Sequence, residues 1–175
     1  ERQYFEYVEK YRVNLGIKAS VHVHTLQRAK RDNLSAPQDV LELLEEYLLV
    51  RRNDGLPERL RKIIPKEYSD EFVNSYLNLK LDPNDDKVRA FETELEQAGY
   101  DVVYNNYLRE FKGENDVYAI VLDRDYKSHT VLQMQNIVKE CTDKGYKVYI
   151  TTPLFEFWLL LHLMDISSLS DDELE

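Results

Sequence analysis

The feature that most constrains this chain is Val117-Tyr118-Ala119-Ile120-Val121-Leu122, an apolar run that ends abruptly in Asp123-Arg124-Asp125. A continuous run of this kind reads as a strand buried on both faces of a parallel sheet. Open α/β sheets carry their chemistry at the carboxyl ends of such strands, which is where Asp123 and Asp125 would sit. In extended backbone, residues i and i+2 point to the same side, so the two carboxylates can share one hard divalent cation such as Mg2+ or Mn2+. A polar strand-to-loop turn, in which aspartate is common, is the alternative reading.

The residues that follow extend the pattern. Val131, Leu132, Met134, Ile137, Val138 and Cys141 form the apolar stripe of a helix ending at Gly145, and Lys147 to Thr151 reads as a second strand. Strand, helix and strand make a right-handed βαβ unit, the smallest piece of a parallel sheet, and this sets Thr152 at the same edge as Asp123. Thr151-Thr152-Pro153 then caps a helix from Leu154 to His162, with proline tolerated at the first helical position. Glu156 is the odd residue in that Phe/Trp/Leu helix, since a buried charge needs a partner, a metal or the favourable helix N-terminus. Its place beside the strand of Asp123 and Asp125 lets it join them or orient a metal-bound water. His162 lies almost opposite Glu156 in helical angle and reads as a packed or hydrogen-bonded core histidine rather than a ligand.

Upstream, Tyr4, Phe5, Val8, Tyr11 and Arg12 follow one helical face with no cap before Glu1, as expected of a chain truncated at its N-terminus. Ile17 to His24 alternates apolar and polar residues and predicts a short strand with His22 and His24 on one face. The two histidines can ligate a metal, but no cysteine or third ligand stands near them in sequence, so they are read as polar-face residues. A helix is expected after Ser35, with Val40, Leu41, Leu43, Leu44, Tyr47 and Leu48 as its stripe. Residues 51–113 read as an α-helical insertion, with breakers at Gly55, Pro57, Pro65 and Pro83 and periodic segments at Asp70 to Leu79 and Lys87 to Ala98. Its cluster Arg51, Arg52, Arg59, Arg61 and Lys62 is interleaved with acidic residues and reads as a solvated helix face rather than a phosphate grip.

The 175 residues suit one domain, or one domain with a sizeable insertion, and 43% hydrophobic with 32% charged residues and few glycines or prolines describe a folded, soluble chain. A net charge of −10 leaves no overall basic footprint, so any nucleic-acid contact has to be local or metal-assisted. The single cysteine, Cys141, has no internal disulfide partner and falls on an apolar stripe, a core position. The longest apolar stretch, Phe157 to Met164, is too short to span a bilayer and no signal peptide is visible, which makes a cytoplasmic location the expectation. The 13 tyrosines are spread over apolar helical faces and read as packing.

From Val117 to Asp125, through the helix, to Thr152-Pro153-Leu154-Phe155-Glu156-Phe157-Trp158-Leu159-Leu160-Leu161-His162, the chain resembles the RloB-like proteins of bacterial defence loci. These are related to abortive-infection nuclease subunits with a TOPRIM-like fold. The family pattern is an apolar strand, Asp-Arg-Asp, a helix, a strand, and Asn-Pro-x-Phe-Glu-x-Trp-Leu-Leu-x-His. Glu1-Arg2-Gln3-Tyr4-Phe5 is similar to the end of the family's opening motif, Glu-Gly-x-x-Thr-Glu-x-x-Tyr-Phe, with Glu1 at its second glutamate. The first glutamate falls before Glu1, Thr152 stands where the family has asparagine, and the middle of the chain shows little resemblance.

The resemblance implies an α/β, TOPRIM-like fold: a single domain with a small parallel sheet flanked by helices. It implies a metal-dependent nuclease, a toxic effector of anti-phage defence, in which Asp123, Asp125 and Glu156 are the catalytic set. Asp123 and Asp125 would hold Mg2+ or Mn2+, and Glu1, Arg124, Thr152 and His162 would be substrate or supporting residues. It also implies an ABC-type ATPase partner and a nucleic-acid substrate, with RNA, tRNA in particular, favoured over DNA; a homo-oligomer is left open. Two further readings stand beside it: a catalytically silent regulatory or scaffold subunit of the same kind of complex, and another TOPRIM chemistry such as nucleotide or primer synthesis.

Overall fold

The computed structural model describes residues 2–26, 36–52, 55–110, 113–124, 129–152 and 154–163. In chain order the described elements are α1 (Arg2–Tyr11), α2 (Pro37–Arg51), α3 (Glu58–Ile63), α4 (Asp70–Leu77), α5 (Asp86–Gln97) and α6 (Val102–Glu110), followed by β1 (Ala119–Asp123), α7 (Val131–Asp143), β2 (Lys147–Thr151) and α8 (Phe155–Leu163). The chain divides into two compact units, one of Glu1–Ser35 and Glu42–Asp116, the other of Ala36–Leu41 and Val117–Glu175. The result is a mixed fold in which helices predominate and the described strands form one small parallel sheet.

In the first unit the periodic segments become helices for the reasons their sequences suggest. Ser69 caps α4 by accepting from the Phe72 amide at 3.2 Å, and Asp85 caps α5 by accepting from Lys87 at 2.8 Å. Val73, Tyr76 and Leu77 on α4 and Val88, Phe91 and Leu95 on α5 are the buried stripes, spaced three and four apart. Phe91 is fully buried, with the rings of Tyr68, Tyr76 and Phe72 at 4.8, 5.0 and 5.3 Å. These side chains belong to a core that runs from Val50 to Val102, so the stretch expected to be helical also supplies a hydrophobic centre. Of its basic residues, Arg51 pairs with Asp116, Arg59 with Glu46 at 3.1 Å and Lys62 with Glu58 at 2.8 Å. That pairing fits the solvated-face reading, although Arg51 itself is buried.

The strand expected at Ile17 to His24 does not form; residues 17–26 are turns and irregular backbone. A strand needs a ladder partner for its amides, and this segment satisfies them otherwise. The Val21 amide closes a turn onto the Lys18 carbonyl at 2.9 Å, and the Val23 amide donates to the Glu9 carboxylate at 2.6 Å.

In the second unit β1 and β2 pair in parallel, with Ala119 opposite Lys147 and Asp123 opposite Thr151. A parallel pair needs a crossover, and α7 supplies it. Thr130 and Gln133 form a capping box at its start, and Gly145, with φ of 80°, ends it as the Tyr146 amide reaches back to Cys141 at 2.8 Å. Met134, Ile137 and Cys141 on α7, Ile120 and Leu122 on β1, and Phe155 on α8 are buried. Cys141 is therefore a core residue. The expectation that β1 is buried on both faces is corrected: Ile120 and Leu122 are buried, Ala119 is exposed and Val121 half-buried. An apolar run alone does not say how many layers cover it, and among the described residues this sheet has only two strands.

Candidate functional site

Asp123 closes β1 and lies half-buried, in register with Thr151 at the end of β2. The Arg124 amide continues the ladder by donating to the Thr151 carbonyl at 2.9 Å. The Thr151 hydroxyl donates to Asp123 Oδ1 and also lies 3.4 Å from the Leu122 carbonyl. A carboxylate offers about four lone-pair sites, so one hydroxyl donor orients Asp123 without exhausting it. Its register partner thus aims this carboxylate at the carboxyl end of the sheet.

The residues that follow the two strands, Arg124 and Thr152, line a groove of about 430 Å³ together with side chains of α7. Lys139 and Gln135 contribute polar groups, Val131 and Val138 an apolar wall. Two cationic side chains, polar hydrogen-bonding groups and an apolar wall form a surface suited to a phosphate and the group attached to it.

Asp125, Glu1 and Pro153 lie outside the described residues. Glu156 is in the first turn of α8, five positions beyond Thr151, and is exposed. The premise of a buried charge is thereby corrected: α8 is apolar nearly all round, with Trp158, Leu161 and Leu163 also exposed, so Glu156 meets solvent and the helix N-terminus, not a core. His162 is exposed too and is not a core histidine; its Nδ1 is 2.8 Å from the Trp158 carbonyl and its ring 4.3 Å from the Trp158 ring. Asp123, Arg124 and Thr152 are therefore brought to one edge of the second unit. Carboxylate donors such as Asp123 and Glu156 suit a hard cation, Mg2+ or Mn2+, better than a soft one.

A cluster that the sequence did not reveal lies in the first unit. Glu9 of α1 stands with His22 and His24, their ligand atoms all within 4.8 Å of one another. Burial pushes the His24 imidazole below its ordinary value, against the pull of Glu9. Glu9 is raised by burial, but the Val23 amide, His22 and Arg12 outweigh this and hold it below the usual carboxylate range. The paired histidines were the only signal for this cluster; nothing in the spacing of a helix marks Glu9 as facing a segment 13 residues on.

A parallel βαβ unit with an aspartate at the end of its first strand is compatible with the α/β class, in which ligands bind at the carboxyl edge of the sheet. The chain belongs to the RloB-like family: the model of the RloB-like protein matches residues 1–175, the whole chain, including the middle in which little resemblance was expected. No curated protein and no solved structure matches it.

Proposed function

We propose that this RloB-like chain is a metal-dependent nuclease that hydrolyses phosphodiester bonds, in RNA and tRNA above all, as a toxic effector of anti-phage defence working with an ABC-type ATPase. The observation that carries this reading is Asp123, held by the Thr151 hydroxyl at the end of β1, while the next residue, Arg124, lines a groove with Lys139. The βαβ unit is read as the core of a TOPRIM-like fold. Asp123, with Asp125, would hold Mg2+ or Mn2+, an ion that in such sites neutralises the scissile phosphate and acidifies bound water. The chain's own residues do the rest. Arg124 and Lys139 bind phosphate oxygens, Thr152 hydrogen-bonds the backbone of the nucleic acid, and Val131 and Val138 exclude water from one side of it. Glu156, exposed at the start of α8, is available to accept a proton from the attacking water. Among the described residues no helix is long and apolar enough to cross a membrane, and the lone buried thiol suits a cytoplasmic setting.

The test is cleavage of tRNA, other RNA and plasmid DNA with Mg2+ or Mn2+, with and without the ATPase, comparing the protein with Asp123→Ala. Removing an essential metal ligand lowers the rate by about three orders of magnitude or more if it costs 4 kcal/mol of transition-state stabilisation. Metal-dependent cleavage that Asp123→Ala abolishes is the expected result. Absence of cleavage under every condition, with no Mg2+ or Mn2+ bound, overturns the proposal in favour of a silent scaffold subunit.

A further inference from the structure

The segment after α1 wraps around one carboxylate. Glu9 Oε2 accepts from the Val23 amide at 2.6 Å, and Oε1 lies 2.9 Å from His22 Nδ1. His22 and His24 flank Val23 and their rings stack, 5.9 Å apart at 7°. The edge of the His24 ring pair is completed by Tyr107 of α6 at 5.5 Å. The Glu9 side chain is only 20% exposed. A hydrogen bond between Glu9 and His22 alone would need neither the second imidazole nor the clamp of the Val23 amide on the other carboxylate oxygen.

We propose that Glu9, His22 and His24 form a binding site for a borderline divalent transition-metal ion, with Zn2+ as the type. Two imidazoles and one carboxylate are a three-ligand set that Zn2+ accepts, leaving a fourth position for water, whereas Mg2+ and Ca2+ prefer oxygen alone. Bonds of about 2.0–2.1 Å in a tetrahedral site hold ligand atoms roughly 3.3 Å apart. The Glu9–His22 pair at 2.9 Å opens slightly to reach that spacing, and the widest pair, within 4.8 Å, closes by rotation of the side chains. The Val23 amide fixes the carboxylate, the supporting contact that orients a ligand. Arg12 Nη1 sits 3.0 Å from Glu9 Oε1 and 3.1 Å from the Glu9 carbonyl. Its charge opposes a second cation, so the site binds with moderate affinity, while the remaining lone pairs of the carboxylate serve the metal. Bound metal ties α1 to residues 22–24, which no strand ladder holds, and so stabilises the first unit. This site differs from the acidic one at the end of β1 in its ligands, its unit and the metal it selects.

The experiment is titration of the chelator-treated protein with Co2+ and Zn2+, followed by visible absorption, calorimetry and thermal unfolding. The variants are Glu9→Gln, His22→Gln, His24→Gln, His129→Gln and Cys141→Ser. One equivalent of Zn2+ binds to these three ligands, Zn2+ raises the melting temperature, and each variant of the three weakens binding of that equivalent by about tenfold or more. His129→Gln and Cys141→Ser bind as the parent does. His22 is the most solvent-accessible ligand, so His22→Gln keeps the test decisive if far-ultraviolet dichroism shows that His24→Gln has lost its fold. Absence of saturable binding, binding undiminished in His22→Gln, or binding lost with Cys141→Ser overturns the proposal.

Discussion

Asp123 and Thr151 are cross-strand partners, and their side chains meet because parallel register sets the ends of β1 and β2 side by side. The hydroxyl does not touch the scissile phosphate in the proposed reaction; it positions the carboxylate that does the binding. Thr151→Val keeps the shape of the side chain and deletes that donor. The expected result is a fall in kcat of about 10- to 100-fold, with the divalent-metal concentration needed for half-maximal activity shifted upward, and a stability change of no more than about 1.5 kcal/mol. Steady-state cleavage across a Mg2+ series checks this, and Thr151→Ser restores most of the rate. A loss of rate with the metal requirement unchanged counts against the positioning role.

Three helices end in the same way, and one of them does so with the wrong residue. After α5 and α7 the left-handed position is Gly99 or Gly145, and the next amide reaches back to Leu95 or Cys141 at 2.9 and 2.8 Å. After α4 that position is Leu79, with φ of 56°, while Lys80 reaches back to Ser75 at 2.9 Å. A side chain costs about 1–2 kcal/mol in this conformation, and Leu79 is 71% exposed, so little packing offsets it. Leu79→Gly therefore stabilises the protein, by about 0.5–1 kcal/mol after the entropy of glycine is counted. Gly145→Ala destabilises by about 1–2 kcal/mol through the backbone alone, because a Cβ there meets nothing within 4 Å. Urea unfolding of both variants measures the pair; opposite signs are expected, and the same sign for both removes the argument.

On the scale of the whole molecule, a charge of −10 works against a polyanion, and the described basic residues of the helical stretch are largely committed to Glu46, Glu58 and Asp116. In the proposed reaction RNA would therefore have to be held by the local groove and by divalent metal. Chelation with EDTA is expected to abolish cleavage and to weaken RNA binding at least tenfold, and Mg2+ to restore both, as read by fluorescence anisotropy at constant ionic strength. RNA binding that persists undiminished in EDTA contradicts this view. The match of the RloB-like protein to all 175 residues means that the helical stretch belongs to the family's design as much as the βαβ unit does.

What the sequence determined by itself is local. Capping residues and apolar stripes define α4, α5 and α7, and the run ending in Asp123 followed by α7 and Lys147 to Thr151 defines a parallel pair. The family was legible from the motifs at both ends of that unit. What only the tertiary structure decided is whatever depends on partners distant in sequence. Alternation at Ile17 to His24 looked like a strand, but a strand exists only where a neighbour accepts its amides, and here the Glu9 carboxylate took one of them. Glu156 looked buried because its neighbours are apolar, but burial is a property of what packs on a helix, and its side of α8 is open. The junction of Glu9, His22 and His24 could not be read from periodicity, because periodicity reports which face a residue occupies and never what lies opposite that face.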